Sequence, residues 1–213
     1  MLKKTLLLIS CSLLFNCASG YDLISVERPT LVRTASDNNI EFSAGLKSIS
    51  SNSSIAEKMA KRDIKVIEVE IKNNSNSTFQ LDYNNVRLVN KSSSIPAMET
   101  NEFIDDVSFN VGGYWLWSLL WLGSTTCTGS GGCESSWYPI GLPIALINVL
   151  TASGANYDFE KDLTNNRLNF TLNSGEHKKG MAYFKVPNRE RFNLQINYRL
   201  NGEEKTTEIE MGL

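Results

Sequence analysis

Residues 67–90 read IEVEIKNNSNSTFQLDYNNVRLVN, and the spacing of apolar residues in this stretch decides the fold class. Apolar side chains stand at every second position on both sides of an asparagine-rich turn: Ile67, Val69, Ile71, Phe79, Leu81, Val86 and Leu88. This period-two alternation is typical of strands that bury one face and expose the other to water. The stretch therefore predicts short strands joined by tight turns at 73–77 and 82–85.

The same alternation recurs outside this stretch. It is found at 40–44, 168–172, 182–186, 192–200 and 209–211. One helical pattern interrupts the strands at 54–61, where Ser53 or Ser54 is suited to the N-cap position. Seven to eight short strands with polar outer faces predict a mainly β protein, an antiparallel β-sandwich.

Two segments resemble a known family. Glu68 to Asn90 resembles the front half of the immunoglobulin-like (telokin-like) domains of small bacterial lipoproteins, in which a strand ends in an asparagine-rich turn. The segment SGEHKKGMAYFKVP, residues 174–187, is similar to their later half, in which a Gly-Glu turn leads to a strand ending in Val-Pro. The resemblance covers only part of the chain and implies an immunoglobulin-like β-sandwich without catalytic residues. We predict that this domain spans 37–213.

The N-terminus has the form of an export signal. Lys3 and Lys4 precede an apolar run that ends at Phe15, and this run is too short to span a bilayer. The sequence LFNC that ends at Cys17 resembles the lipobox of bacterial lipoproteins, whose cysteine is acylated with chains such as palmitate. We predict that residues 1–16 are a lipoprotein signal peptide, that Cys17 is the lipidation site, and that 17–36 form a lipidated tether to the membrane.

Two alternatives remain for this signal. Cys11, in the sequence LISC, also fits the lipobox, and a plain signal peptide cleaved near 18–20 needs no acylated cysteine. Ala18 is not the aspartate that retains lipoproteins at the inner membrane under the enterobacterial rule, which favours the outer membrane over the inner membrane. The formal net charge of −2 and the scattered basic residues exclude a nucleic-acid footprint.

Residues 107–157 form an apolar insertion that carries a single charged residue, Glu134. It contains all four tryptophans of the chain: Trp115, Trp117, Trp121 and Trp137. Two apolar arms, 111–122 and 140–155, predict a helical hairpin, and each arm is shorter than a bilayer-spanning helix. The glycine-rich loop between the arms holds Cys127 and Cys133, and an exported protein favours a disulfide between them.

Three interpretations of the insertion remain open. It could be the largest core cluster of the domain, it could lie in the lipid interface, where tryptophan and tyrosine are favoured, or it could contact an envelope protein. In the last two interpretations the four tryptophans are the predicted contact residues. The functional hypothesis is therefore a non-enzymatic, lipid-anchored envelope protein. The alternative is a binding module for small apolar ligands with a pocket between hairpin and sandwich.

No pattern for catalysis or for metal binding is present in the sequence. The single histidine, His177, stands among charged residues in a turn, and no nucleophile motif accompanies it. Asp105 and Asp106 lack the dense oxygen-rich spacing of a calcium loop. We expect no catalytic residue, no metal and no cofactor.

Overall fold

The computed structural model describes residues 30–47, 54–129, 131–186 and 191–212. The predicted signal peptide and both candidate lipidation sites, Cys17 and Cys11, lie outside these ranges. The described chain divides into two compact units. We call Phe109–Asp158 the insertion, and we call residues 30–108 and 159–212 the body. The observed insertion differs from the predicted 107–157 by two residues at its start and one at its end.

The described residues form twelve strands and four α-helices. The strands are β1 (Thr30–Asp37), β2 (Ile40–Lys47), β3 (Ile64–Asn73), β4 (Phe79–Leu81), β5 (Val86–Val89), β6 (Ser94–Pro96), β7 (Leu122–Cys127), β8 (Cys133–Tyr138), β9 (Phe170–Leu172), β10 (His177–Lys185), β11 (Asn193–Leu200) and β12 (Glu203–Glu210). The α-helices are α1 (Ser54–Lys61), α2 (Thr100–Val107), α3 (Val111–Tyr114) and α4 (Gly141–Asn165). Short 3-10 helices lie at Tyr83–Asn85 and Trp115–Leu119.

The body consists of two antiparallel sheets. The first has the order β1-β2-β3-β10, and the second has the order β6-β5-β11-β4-β9, with β12 also paired to β11. The predicted mainly β, antiparallel, sandwich-like fold is therefore confirmed. The sheets contain ten strands rather than seven or eight, because several of the additional strands have only three residues or have little apolar alternation.

A buried aromatic cluster joins the inner faces of the two sheets. Phe42 of β2 lies 6.1 Å from Phe79 of β4 and 5.4 Å from Tyr198 of β11, measured between ring centroids. Phe79 and Tyr198 stack at 5.1 Å. All three residues belong to the alternating sets that were predicted to be buried. Their contact shows that these sets form the facing inner surfaces of the two sheets.

Helices cover the outer face of the first sheet. Phe103 of α2 stacks on Tyr183 of β10 at 4.3 Å, and Phe159, in the part of α4 that belongs to the body, lies 5.5 Å from Phe103. β10 is therefore buried on both faces from Gly180 to Phe184. Helix α1, whose bounds are those predicted from the sequence, contributes buried Ile55 and Met59.

The asparagine-rich turn after β3 is organised by the buried side chain of Asn73. Its Nδ2 donates to the carbonyl oxygens of Ser77 (2.7 Å) and Leu172 (3.1 Å), and its Oδ1 accepts from the backbone N–H of Ser75 (3.0 Å). The turn between β11 and β12 is the predicted Asn201-Gly202 pair, and both residues have positive φ angles, of 52° and 87°. Such a pair is typical of a two-residue hairpin turn.

Two sequence expectations about element bounds were wrong, and some elements were not predicted. The sandwich begins at Thr30 rather than at 37, so the end of the predicted tether is strand β1. The sequence did not predict β1, because its side chains from Val32 to Asp37 are all exposed or half-buried and show no apolar alternation. Helix α2 and strand β6 were not predicted. Helix α4 begins two residues before Pro143 and continues to Asn165, well beyond the short helix expected there.

Two buried tyrosines predict a loss of stability at alkaline pH. The Tyr83 hydroxyl donates to the Met98 carbonyl oxygen at 2.8 Å, and the Tyr198 hydroxyl donates to Asp37 Oδ2 at 2.6 Å. Burial raises the pKa of Tyr83 to about 12, and burial together with the Asp37 carboxylate raises the pKa of Tyr198 to about 12. The unfolded chain loses these protons near the ordinary value of about 10.

A raised folded-state pKa contributes stability that is complete below pH 10 and is lost as the pH rises to about 12. We expect the free energy of unfolding, measured by urea denaturation and circular dichroism, to fall across this window. A Tyr83→Phe/Tyr198→Phe variant should be less stable at neutral pH and should fall less steeply. The control is Tyr157→Phe, because Tyr157 is 66% exposed. An equal slope in all three proteins would contradict the assignment.

Candidate functional site

The insertion begins with a short helical arm. Asn110 caps helix α3, because its Oδ1 accepts a hydrogen bond from the Gly113 N–H at 3.1 Å. The helix continues as the 3-10 segment Trp115–Leu119. Both predicted arms are thus mainly helical. Between them stands a two-stranded antiparallel ribbon, β7 and β8, where a glycine-rich loop was expected.

The ribbon closes with the predicted disulfide. Cys127 lies directly opposite Cys133 in the register, and the two sulfur atoms are bonded. The disulfide prediction is therefore confirmed. An isolated two-stranded ribbon is only marginally stable in water, and a covalent link between its strands opposes separation.

The ribbon is apolar at its base and polar towards its tip. At the base, Leu122 lies opposite Tyr138, and the Trp137 ring packs over Gly123, where a Cβ atom would stand 2.8 Å from the ring. Nearer the tip, the hydroxyl oxygens of Thr125 and Ser135 lie 3.1 Å apart. All twelve ribbon residues are exposed.

The base of the ribbon meets the start of helix α4. The Gly141 N–H donates to the Leu120 carbonyl oxygen at 2.9 Å. A Cβ atom at Gly141 would stand 1.9 Å from the Trp117 carbonyl oxygen. Only glycine therefore allows the helix to begin so close to the preceding 3-10 segment.

Helix α4 carries apolar residues on opposite sides, and it exposes the larger ones. Its buried residues within the insertion, at spacings of three and four, are Gly141, Ala145, Asn148, Ala152 and Ala155. Its exposed large apolar residues are Leu142, Leu146, Ile147, Leu150 and Tyr157. A surface helix in water normally buries its large apolar side chains and exposes polar ones. Helix α4 is inverted in this respect.

The two ends of the insertion are joined by one side chain. Asn156 Oδ1 accepts from the Phe109 N–H at 2.8 Å, and Asn156 Nδ2 donates to the Phe109 carbonyl oxygen at 3.0 Å. Buried Asn148 donates from Nδ2 to the Ile144 carbonyl oxygen at 3.0 Å, one turn earlier. Both asparagine side chains thus hydrogen-bond to backbone groups of the insertion itself.

The exposed apolar residues of the described chain are concentrated in the insertion. Among the residues that the structure describes, fourteen large apolar side chains are exposed, and all except Val32 belong to the insertion. We call these thirteen residues the apolar surface: Trp115, Leu116, Leu119, Trp121, Leu122, Trp137, Tyr138, Ile140, Leu142, Leu146, Ile147, Leu150 and Tyr157. The core-cluster interpretation of the insertion stays a prediction.

Three of the four predicted contact residues belong to this surface. Trp115 is 45% exposed, Trp121 is 56% exposed and Trp137 is 66% exposed, whereas Trp117 is half-buried. The sequence prediction omitted the aliphatic residues of helix α4. Their signal was present as the spacing of Leu146 and Leu150, but both sides of that helix are apolar, so the exposed side could not be identified.

Other candidate sites have structural roles or are solvated. His177 is exposed at the start of β10, opposite Lys72. Asp106 lies 3.4 Å from the side-chain nitrogens of both Arg62 and Lys185 and links α2 to the rest of the body. Within the described ranges, no group of three His, Cys, Asp or Glu side chains is placed to hold a metal ion. None of the helices described is both long enough and apolar enough to cross a membrane.

Comparisons with known proteins add little to this geometry. No protein-family model and no curated protein matches the chain. Among solved structures, it is similar to a functionally unknown protein from Listeria monocytogenes EGD-e. That likeness covers 90% of each chain with 8% sequence identity and a TM-score of 0.36.

Proposed function

We propose that this protein is a non-enzymatic, lipid-anchored protein of the bacterial cell envelope whose insertion partitions into the lipid interface. The observation that carries the proposal is the inverted helix α4, with alanines buried and Leu146, Ile147 and Leu150 exposed. Proteins in lipid pack through small residues and turn their large apolar residues towards the acyl chains. The helix therefore has the composition expected of a lipid-facing element.

The aromatic residues of the apolar surface support the same conclusion. Trp115, Trp121, Trp137 and Tyr138 are exposed at the ribbon base and in the arm before it. Tryptophan and tyrosine favour the membrane interface, where the ring contacts acyl chains and the N–H or O–H group meets polar headgroups. Interfacial contact also needs no spanning helix.

The predicted acyl anchor would strengthen the binding of the insertion to the membrane. Acylation of Cys17 would hold the chain at a membrane, so the insertion would meet lipid at a high effective concentration. Ala18 supports the outer membrane as the location. An envelope protein partner for the same surface and the apolar-ligand alternative both stay predictions.

The test is vesicle binding by the mature chain without its acyl groups. A chain that starts at residue 17 and carries Cys17→Ser should sediment with phosphatidylcholine vesicles. Replacing Leu146, Ile147 and Leu150 with serine should weaken the partitioning about a hundredfold, because each side chain loses roughly 1 kcal/mol of apolar transfer free energy. These side chains are exposed, so the fold should tolerate the change.

The matched control is Val32→Ser, which removes the one exposed large apolar side chain described in the body. It should bind vesicles as the parent chain does. Equal binding by the triple variant and the parent, or no binding by the parent, would contradict the proposed function.

A further inference from the structure

We infer that the apolar surface is built for electrically neutral lipid interfaces and binds them without electrostatic attraction. This inference rests on the proposed function and specifies the lipid class. Residues 109–158 contain no lysine, arginine or histidine, and their charged residues are Glu134 and Asp158. Surfaces that recognise anionic lipids do so through lysine and arginine near the headgroups. The insertion has no group of this kind.

The charge of the remaining chain points in the same direction. After loss of Lys3 and Lys4 with the signal peptide, 19 basic residues face 23 acidic residues, so the mature chain has a formal charge of −4. A negative chain with a neutral contact surface is weakly repelled by an anionic bilayer. A zwitterionic bilayer presents no such repulsion.

The polar groups of the apolar surface suit a neutral headgroup layer. The exposed residues Trp115, Trp121, Trp137 and Tyr138 carry indole N–H and hydroxyl groups, which are neutral hydrogen-bond donors. Ester carbonyl and phosphate oxygens of zwitterionic lipids accept such bonds. Recognition of this kind is insensitive to salt, because no charge pair is formed.

The ribbon limits how deeply the insertion enters. Glu134 stands opposite Thr126 next to the disulfide, and the residues around it are exposed threonines and serines. Moving an unpaired carboxylate into hydrocarbon is costly. The ribbon tip therefore stays among the headgroups while the ribbon base and helix α4 contact acyl chains.

The experiment compares vesicles of phosphatidylcholine alone with vesicles that also contain phosphatidylglycerol, using the mature Cys17→Ser chain. Binding is measured by sedimentation between about 0.01 M and about 1 M NaCl, which shortens the Debye length from about 30 Å to about 3 Å. We expect the phosphatidylcholine partition coefficient to change less than about twofold. Adding the anionic lipid should not strengthen binding at low salt.

A charge reversal at the ribbon tip tests the inferred depth. Glu134→Lys should strengthen low-salt binding to the anionic vesicles about tenfold, and high salt should remove the gain. The same reversal in the body, Glu210→Lys, should have a much smaller effect. Circular dichroism confirms that both variants are folded.

The outcomes separate this inference from the proposal beneath it. Tighter binding to anionic vesicles that falls steeply with salt would overturn the neutral-lipid inference and leave lipid contact intact. Equal effects of Glu134→Lys and Glu210→Lys would overturn the placement of the tip. No binding to either kind of vesicle would overturn the proposed function itself.

Discussion

Replacing Phe79 with alanine is expected to lower the free energy of unfolding of the body by about 4 kcal/mol. Phe79 is fully buried and contacts Phe42 of the first sheet and Tyr198 of its own sheet. Its removal leaves a cavity between the sheets and breaks the aromatic contact that joins them. Urea denaturation followed by circular dichroism measures the loss.

A smaller truncation of Phe79 separates the effect of the cavity on stability from the effect of losing the aromatic ring. Phe79→Leu keeps most of the apolar volume and should cost about 1–2 kcal/mol, because a branched side chain fills much of the space. A loss below about 1 kcal/mol for Phe79→Ala would show that the sheets do not depend on this cluster.

Gly141→Ala is expected to destabilise the insertion by about 3 kcal/mol, at the upper end of overpacking effects. The new Cβ would stand 1.9 Å from the Trp117 carbonyl oxygen, and the nearest neighbours are backbone atoms rather than a flexible side-chain end. Either the 3-10 segment or the first turn of α4 must move. Hydrogen exchange of the backbone amides in residues 109–158 should increase, and that rate is the measurement.

The same helix provides a control of opposite sign. Gly154 has no atom within 4 Å of a Cβ position, and alanine favours a helix interior over glycine by about 1 kcal/mol. Gly154→Ala should therefore slow amide exchange in α4. If both alanine variants changed exchange in the same direction, the close approach at Gly141 would not be a structural constraint.

The body could be predicted from its sequence because its strands bury one face and expose the other. Ile67, Val69 and Ile71 show this pattern in β3, and Phe79 and Leu81 show it in β4. The turn between β11 and β12 could also be predicted, since Asn and Gly are the residues that tolerate the positive φ angles found at Asn201-Gly202. Local pattern and tertiary environment agree in these elements.

The sequence did not predict the elements whose two faces have the same polarity. Strands β7 and β8 are exposed on both faces, so polar residues occur without alternation and only the paired cysteines marked the ribbon. Helix α4 is apolar on both faces, and Gly154 within it lowers its apparent helix propensity. The sequence showed that the apolar segment needs contact with a core, with lipid or with a partner protein. Which side of the helix is exposed followed only from the structure.

The position of the four tryptophans allows intrinsic fluorescence to report on the insertion separately. Every indole ring lies between Trp115 and Trp137, within the insertion, and the described tyrosines of the body are Tyr83, Tyr183 and Tyr198. Selective excitation of indole therefore yields fluorescence from the insertion alone, while far-ultraviolet circular dichroism reports the helices and strands of both units. Melting both signals in one sample would show whether the two units unfold as one cooperative block or in succession.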